Sequence, residues 1–287
     1  MVEPCERMRA LVCFLFLAFG CSRARPDDAA AAPPRIVSIS PSTTETVFAI
    51  GAGPRLVGRS RYCNHPPEVT QLPQVGGYVD PSFEAILALR PKLVVGARGP
   101  AGNALATKLE ARGIQTYFPE TESFAAIDAM IFGMGERTSR VQDAQQTVNA
   151  IHADLAEVEA RVKSLPKTRM LLVFGLAPLS VAGPSSFAGE MIRRAGGENV
   201  VVEGGAYPTI GVERVLVLDP DVIINAAMME EHASERLRPG APGWEKVRAV
   251  NSGHVTTITD EAVLRPGPRI ADGLRLLARA LHPEAVP

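Results

Sequence analysis

The longest continuous pattern of apolar positions lies near the middle of the chain, between Ser139 and Leu165. The apolar residues recur there at alternating steps of three and four, which places them on one face of an α-helix. They are Val141, Ala144, Val148, Ile151, Leu155, Val158, Val162 and Leu165. We predict a helix over 139–165, with a capping box at Ser139 and Gln142 and an end before Pro166. At about 1.5 Å per residue, this helix would be a rod roughly 40 Å long.

Similar sequences flank this helix on both sides. Residues 84–95 read EAILALRPKLVV, and residues 213–224 read ERVLVLDPDVII. In both, a glutamate precedes a short apolar helix, a proline follows, and a β-branched strand comes next. A Gly-Gly pair precedes each copy, at 76–77 and at 204–205. The repeat favours two related lobes bridged by one helix, whereas the apolar stripe alone is also compatible with a coiled-coil seam for dimerisation.

Strand and helix patterns alternate on either side of the central helix. We predict strands at 35–40, 56–58, 93–95 and 115–118 before it, and at 169–174, 222–224 and 254–258 after it. A second capping box, Ser42 with Glu45, is predicted to open the first helix. Such alternation favours parallel sheets covered by helices on both faces. We therefore predict an α/β fold of two Rossmann-like lobes, 35–138 and 166–287, with a ligand cleft between them.

The first residues have the composition of an export signal. Arg7 and Arg9 precede the apolar run 10–19, which is too short to span a bilayer. The run leads to Cys21, in a context that resembles the lipobox of bacterial lipoproteins. We predict a signal peptide over 1–21, lipid attachment at Cys21 and a flexible tether over 22–34. The protein is thus expected in the periplasm or cell envelope, anchored to a membrane by lipid.

Composition narrows the classes of function. A length of 287 residues with 46% apolar residues suits two domains with a sizeable core. The formal net charge of -1 argues against capture of nucleic acid by overall charge. If Cys5 and Cys13 leave with the signal and Cys21 carries lipid, only Cys63 of the four cysteines remains. An internal disulfide is then excluded, and the fold must depend on its core.

Motifs for catalysis are weak. The loop 96–102, GARGPAG, lies between a predicted strand and a predicted helix, as a dinucleotide-binding loop would. Its glycine spacing differs from G-x-G-x-x-G, and Pro100 lacks a backbone donor that a phosphate would need. His65 lies two residues from Cys63, but two ligands do not make a metal site. We expect no enzyme activity, no cofactor and no resident metal; a nucleotide-dependent α/β enzyme is the alternative class.

Residues suited to ligand binding are more prominent. Tyr62, Tyr78 and Tyr207 each lie beside a predicted turn at a lobe edge. A tyrosine offers a flat apolar face with one polar tip, which suits a large planar ligand. Arg98 and Arg265 follow predicted strands and could meet carboxylate, phosphate or amide groups. We predict that these five residues bind the ligand.

Glu84 and Glu213 occupy matching places at the starts of the two repeat helices. A carboxylate stabilises a helix N-terminus by about 0.3 to 1 kcal/mol, which would explain both residues without a partner. Alternatively, two related lobes display equivalent acidic groups to a two-fold arrangement of basic residues on another protein.

Four motifs occur in order along the chain: RIVSISPSTTE at 35–45, YCNHPP at 62–67, PQVGGY at 73–78 and EAILALRP at 84–91. Together they resemble the cobalamin and iron-siderophore substrate-binding proteins of bacterial ABC importers, and within that family the cobalamin-binding receptors. The resemblance covers about residues 35–282. It implies the class III architecture, in which one rigid helix, here 139–165, spans two lobes that move little around a ligand in the cleft.

The resemblance also implies roles for individual residues. Tyr62, Tyr78 and Arg265 match positions that line the cleft, and Tyr207 stands where an aromatic residue is expected. Glu84 and Glu213 match positions that dock onto arginines of the permease dimer.

The implied ligand is cobalamin or a related metal chelate, with haem or a ferric siderophore as the alternative. The only tryptophan, Trp244, lies in a segment that looks structural, and Ser180 stands where an aromatic residue would help to enclose a corrin. The chain would act as a monomer, with the ATPase subunits on other chains.

Overall fold

The computed structural model describes residues 33–99, 102–227 and 233–286. The predicted signal peptide, Cys21 and all but the end of the predicted tether lie outside this part of the chain. Among the described residues, none of the helices has the length and apolar character needed to cross a membrane.

The first lobe is built around a four-stranded parallel sheet with the order β2-β1-β3-β4. Its strands are β1 (Ile36–Ser38), β2 (Leu56–Arg59), β3 (Leu93–Val95) and β4 (Gln115–Tyr117). Its helices are α1 (Pro41–Ala49), α2 (Phe83–Ala88), α3 (Gly102–Glu110) and α4 (Phe124–Arg137). Two short 3₁₀ helices, Gly53–Arg55 and Pro67–Gln71, flank β2.

The strands of this lobe are apolar because both faces of the sheet are covered. Ile36 and Leu93 face one side, where α4 packs, whereas their neighbours Val37 and Val94 face the side of α2 and α3. A strand covered on both faces needs a continuous apolar run rather than an alternating one. The predicted parallel sheet is therefore present in this lobe.

The central helix, α5, comprises Val141–Val162, and its 22 residues span about 33 Å. The capping box predicted at its start is wrong. Ser139 has a backbone φ of 53°, so it lies outside the helix, and the N-cap residue is Arg140, whose side chain makes no capping hydrogen bond.

The second lobe has a five-stranded sheet in the order β6-β5-β8-β9, with β7 also paired to β5. Its strands are β5 (Thr168–Leu176), β6 (Leu179–Val181), β7 (Gly197–Asn199), β8 (Val222–Asn225) and β9 (Val255–Thr257). Its helices are α6 (Phe187–Arg194), α7 (Val212–Leu218), α8 (Ala233–Arg236), α9 (Arg248–Asn251) and α10 (Ile270–Leu281), and Glu261–Leu264 is a 3₁₀ helix. β6 runs antiparallel to β5. The other strand pairs of this sheet, β5 with β7, β5 with β8 and β8 with β9, are parallel, so the predicted parallel sheet is present with one antiparallel strand added.

The apolar stripe of α5 is buried within one chain. Its residues Ala144, Val148, Ile151, Leu155, Val158 and Val162 are buried, whereas Val141 is 58% exposed. They pack against α1 and α4 from the first lobe and against α10 from the second. Because these helices already cover the stripe, it is not available as a dimer seam. One continuous apolar core thus joins the lobes.

The sequence repeat is also present in the backbone. Arg90 and Asp219 hold matching places after α2 and α7, and both have a left-handed conformation, with φ of 49° and 41°. A left-handed residue commonly ends a helix, and the proline that follows each one prevents continuation. The two copies therefore turn from helix into strand in the same way.

Candidate ligand-binding cleft

The loop after β2 carries the first predicted cleft residue, Tyr62. The amide of Cys63 donates to the carbonyl of Ser60 at 3.1 Å, which closes a tight turn around Tyr62. Tyr62 is 40% exposed, and the Arg61 guanidinium lies 5.7 Å from the centroid of its ring. Arg61 forms an ion pair with Asp80 at 2.8 Å. The loop therefore presents an aromatic face whose flanking charges are already paired.

Tyr78 and Arg98 come from neighbouring loops and contact each other. Gly76, with a φ of 96°, turns the chain just before Tyr78. The Tyr78 hydroxyl group donates to the Arg98 carbonyl oxygen. Gly99 makes this contact possible, because a Cβ atom there would overlap the Tyr78 ring. The Arg98 side chain is paired with Glu120 at 3.1 Å.

Tyr207, from the second lobe, reaches across to the first. Its hydroxyl group donates to Glu122 Oε2 at 2.8 Å, and its ring packs edge-on against Phe174 with centroids 5.4 Å apart. Glu122 lies just before α4 and has no ion-pair partner among the described residues. This hydrogen bond joins the two lobes at the cleft.

The environment of the cleft changes the acidity of two tyrosines. Burial, with the charges of Glu122 and Glu120, raises the pKa of Tyr78. Burial, the charge of Glu122 and the hydrogen bond to it raise the pKa of Tyr207, with a further contribution from Tyr78. Both phenols therefore stay protonated and remain donors well above neutral pH.

Arg265 is placed beneath the Tyr62 loop. It is 8% exposed, and its Nη2 atom donates to the Tyr62 carbonyl oxygen and to Asn64 Oδ1, each at 3.3 Å. Nη2 also pairs with Glu261. Contacts thus join Tyr62 with Arg265 and Tyr78 with Arg98, whereas Tyr207 contacts Glu122. Contact of the five predicted residues with a ligand stays a prediction.

Cys63 and His65, which lie two residues apart, have different surroundings. The Cys63 thiol is fully buried and accepts a hydrogen bond from Thr44 Oγ1 at 3.0 Å, and burial raises its pKa. His65 lines an open depression of about 500 Å³ together with Asn64 and Glu261. Within the described residues there is no group of three potential metal ligands.

The glycine-rich loop that follows β3 is already occupied by protein contacts. The amides of Gly96, Ala97 and Arg98 donate to Tyr117 O, Ser40 Oγ and Pro119 O at 3.1, 2.9 and 2.8 Å. Residues 100 and 101 lie outside the described chain. Because a nucleotide phosphate requires free backbone donors, these contacts disfavour the dinucleotide-loop alternative.

Glu84 and Glu213 both lie in the first turn of their helices, α2 and α7, and both are exposed. Neither forms an ion pair within the described residues. In α7 the exposed face continues through Leu216 and Val217, which are 37% and 73% exposed. The two carboxylates are therefore free to meet a partner.

Some residues of the site were not found from the sequence. Glu45 was predicted to cap α1, which is wrong: the N-cap is Ser40, and the Glu45 carboxylate binds Arg269 with two contacts of 2.9 Å. Glu122 was not predicted at all. Its only sequence signal is its place just after a predicted strand, and its partner lies 85 residues away.

Two α/β lobes held by one long helix, with an aromatic cleft between them, define a class III substrate-binding protein. A family model described as periplasmic binding protein matches residues 36–262. This chain belongs to the periplasmic binding protein family, which confirms the resemblance drawn from its motifs.

Individual relatives agree with this assignment. The ABC transporter substrate-binding lipoprotein YvrC of Bacillus subtilis is 27% identical over 259 residues, covering 88% of this chain and 81% of YvrC. A vitamin B12-binding protein of Salmonella typhimurium is 31% identical over 201 residues, 70% of this chain and 75% of that protein. The crystal structure of a periplasmic haem-binding protein from Pseudomonas aeruginosa matches with a TM-score of 0.78 at 30% identity, over 88% of this chain and 94% of that one.

Proposed function

We propose that this chain is the substrate-binding protein of an ABC importer and that it captures cobalamin, or a closely related corrinoid, between its lobes. Family membership supports the binding role, and the vitamin B12-binding relative from Salmonella typhimurium supports the ligand. The exposed rings of Tyr62 and Tyr207 offer apolar faces of the kind that a large planar macrocycle buries.

The charges of the cleft favour a corrinoid over haem, and this observation carries the proposal. Arg61, Arg98 and Arg265 are paired with Asp80, Glu120 and Glu261. Glu122 adds a carboxylate that accepts from Tyr207 and has no cationic partner among the described residues. Haem carries two propionates, each of which would need a cationic partner and would be repelled by Glu122. A corrin carries neutral amide groups, which donate to carboxylates and accept from tyrosine hydroxyl groups.

Calorimetric titration of the purified chain with cyanocobalamin, haemin and a ferric siderophore tests this ligand, with ATP and NAD as probes of the enzyme alternative. We expect saturable binding of one cyanocobalamin per chain and weaker binding of haemin. Saturable binding of haemin or a siderophore without binding of cyanocobalamin would keep the transport role and reject the corrinoid. Binding of ATP or NAD alone would reject both the transport role and the corrinoid ligand.

The transport role requires a permease dimer with its ATPase subunits, and we propose that Glu84 and Glu213 dock onto basic residues of that permease. Their exposure, their matching places on the two lobes and the lack of ion pairs to other described residues support this role. We further propose that the chain itself catalyses no reaction and needs no cofactor, since its ligand is cargo.

We propose a division of the chain into a signal peptide over 1–21, a tether over 22–34, lobes over 35–138 and 166–287, and a bridging helix over 139–165. Lipid attachment at Cys21 would hold the protein to a membrane in the cell envelope, and the lipoprotein relative YvrC supports it. Cys21→Ser should move the protein from the membrane fraction to the soluble fraction; unchanged membrane association would reject lipidation at this residue.

A further inference from the structure

The loop that carries Tyr62 turns its backbone carbonyl groups toward arginine side chains. Arg59 Nη1 donates to the carbonyl oxygens of Ser60 and Cys63 at 3.1 and 3.0 Å. Arg265 Nη2 donates to the Tyr62 carbonyl oxygen, which lies between those two acceptors in the sequence. Arg59 belongs to β2 of the same lobe, whereas Arg265 follows the last strand of the other lobe. The loop is thus fixed from both lobes.

Arg265 itself is held by a buried carboxylate. The Arg265 Nε atom lies 3.9 Å from Glu45 Oε1 and has no hydrogen-bond partner of its own within the described part of the chain. The Glu45 side chain is 2% exposed and is bound by two nitrogen atoms of Arg269, each at 2.9 Å. Buried charges are tolerated only when they are paired, so these three side chains have little freedom to rearrange.

The segment between Arg265 and Arg269 lies directly against the first lobe. A Cβ atom at Gly267 would lie 3.5 Å from Ser42 Cα, so this segment contacts the start of α1. Asn64, in the Tyr62 loop, also donates to Glu261 at 2.8 Å. The contacts therefore run without a gap from the buried pair of Glu45 and Arg269 to the loop that carries Tyr62.

We propose that Arg265 is a positioning residue, which acts from the second lobe to set the conformation of the Tyr62 loop and hence the aromatic wall of the cleft. The Glu45–Arg269 pair orients Arg265, and this role does not require Arg265 to touch the ligand. This proposal depends on the proposed function in one respect: it takes the Tyr62 loop to form a wall of the ligand-binding cleft.

Alkylation of Cys63 in the folded chain tests the proposal without any ligand. Cys63 is fully buried inside this loop, so its reactivity reports how often the loop opens. Because the chain has four cysteines, the modified peptide is identified by mass spectrometry. The substitution Arg265→Gln removes hydrogen bonds that a charged group makes to the loop, so the loop should open more often. We therefore expect Cys63 to react at least about tenfold faster than in the wild type. Amide exchange in β5 and α6 should stay at the wild-type level.

Two variants complete the experiment. Arg275→Gln removes a half-buried arginine of α10 that pairs with Asp272 at 2.9 Å, and it should leave Cys63 as unreactive as in the wild type. Glu261→Gln removes a charge next to Arg265 and should give a smaller increase; it carries the test if Arg265→Gln does not fold. Unchanged reactivity of Cys63 in the folded variants, or faster exchange throughout the chain, would overturn the proposal. Failure to bind a corrinoid would not affect this result.

Discussion

The two lobes share a framework but differ in how each one presents its side of the cleft. In the first lobe, Arg35 donates to the carbonyl oxygen of Leu89 at 3.0 Å; in the second, Arg169 donates to that of Leu218 at 2.6 Å. In both cases an arginine at the start of the central strand closes the C-terminal end of the repeat helix. The repeat therefore extends from the sequence into side-chain contacts.

The cleft residues, in contrast, are repeated only in part: Tyr78 and Tyr207 each lie six residues before the repeated glutamate, whereas Tyr62 and Arg98 have no such counterpart among the predicted site residues. Tyr62, Tyr78 and Arg98 come from the first lobe, whereas Tyr207 comes from the second and donates across the cleft to Glu122. The duplicated part of each lobe thus supplies the framework, the exposed glutamate and one cleft tyrosine. The loops that carry Tyr62 and Arg98 make the two sides of the cleft different.

The largest effect is expected from reversing both repeated glutamates. Glu84→Lys combined with Glu213→Lys should abolish uptake of labelled cobalamin by cells, because both docking contacts would become repulsive. Ligand affinity of the purified protein should not change. Reversal of the exposed Glu68 and Glu245 is the matched control and should leave uptake normal. If the lobes dock equivalently, each single reversal should reduce uptake to a similar degree; normal uptake by the double variant would refute docking through these residues.

The shared core is tested by two valines of α5. Val158 is 2% exposed and Val141 is 58% exposed. Val158→Ala should lower the free energy of unfolding by about 1 to 3 kcal/mol, and Val141→Ala by less than about 0.5 kcal/mol. Trp244 fluorescence reports the second lobe, whereas circular dichroism reports both, so denaturant titration followed by both probes can separate the lobes. We expect coincident transitions that shift together in Val158→Ala; separate transitions would show that the lobes unfold independently.

The contact across the cleft should matter more for the ligand than for stability. Tyr207→Ala removes an aromatic face and should weaken cobalamin binding about tenfold or more, whereas Tyr207→Phe should weaken it less. Val202→Ala, at a nearby and 68% exposed position, is the control. Cobalamin affinity that stays at the wild-type level in Tyr207→Ala would remove Tyr207 from the site.

The smallest effect concerns alkaline pH. Burial raises the pKa of Tyr207 in the folded chain above its unfolded value of about 10. The unfolded chain therefore loses this proton first, and the contribution of Tyr207 to stability is present below about pH 10 and lost as the pH rises toward the folded-state pKa. Tyr207→Phe cannot ionise, so its free energy of unfolding should fall less steeply than that of the wild type above pH 10. Equal slopes would show that Tyr207 is not perturbed.

The sequence predicts those parts of the fold that depend on local patterns. The stripe of α5, the repeat around Glu84 and Glu213, and the apolar strands all follow from the spacing of apolar residues and from proline positions. The antiparallel strand β6 and the short strand β7 were not predicted, because residues such as Gly197 and Asn199 have low strand propensity and pair only through β5.

The site was predicted less completely, because its side chains contact partners that are distant in the sequence. Glu45 has the spacing of a helix cap, yet it is buried against Arg269 from the far end of the chain. Arg265 was predicted to bind the ligand, which stays a prediction, and its hydrogen bond to the Tyr62 carbonyl oxygen was not predicted. In the sequence, a carboxylate that caps a helix cannot be distinguished from one that binds a distant arginine. Only the tertiary fold determines which of these contacts forms.

The position of the ligand tests the account most directly. Hydrogen exchange of the full chain should be compared with and without cyanocobalamin. We expect protection at the loops around Tyr62, Tyr78, Arg98 and Tyr207, and unchanged exchange in α2 and α7. Protection confined to the depression between α5 and α6, lined by Lys163 and Arg193, would place the ligand outside the cleft and contradict this account.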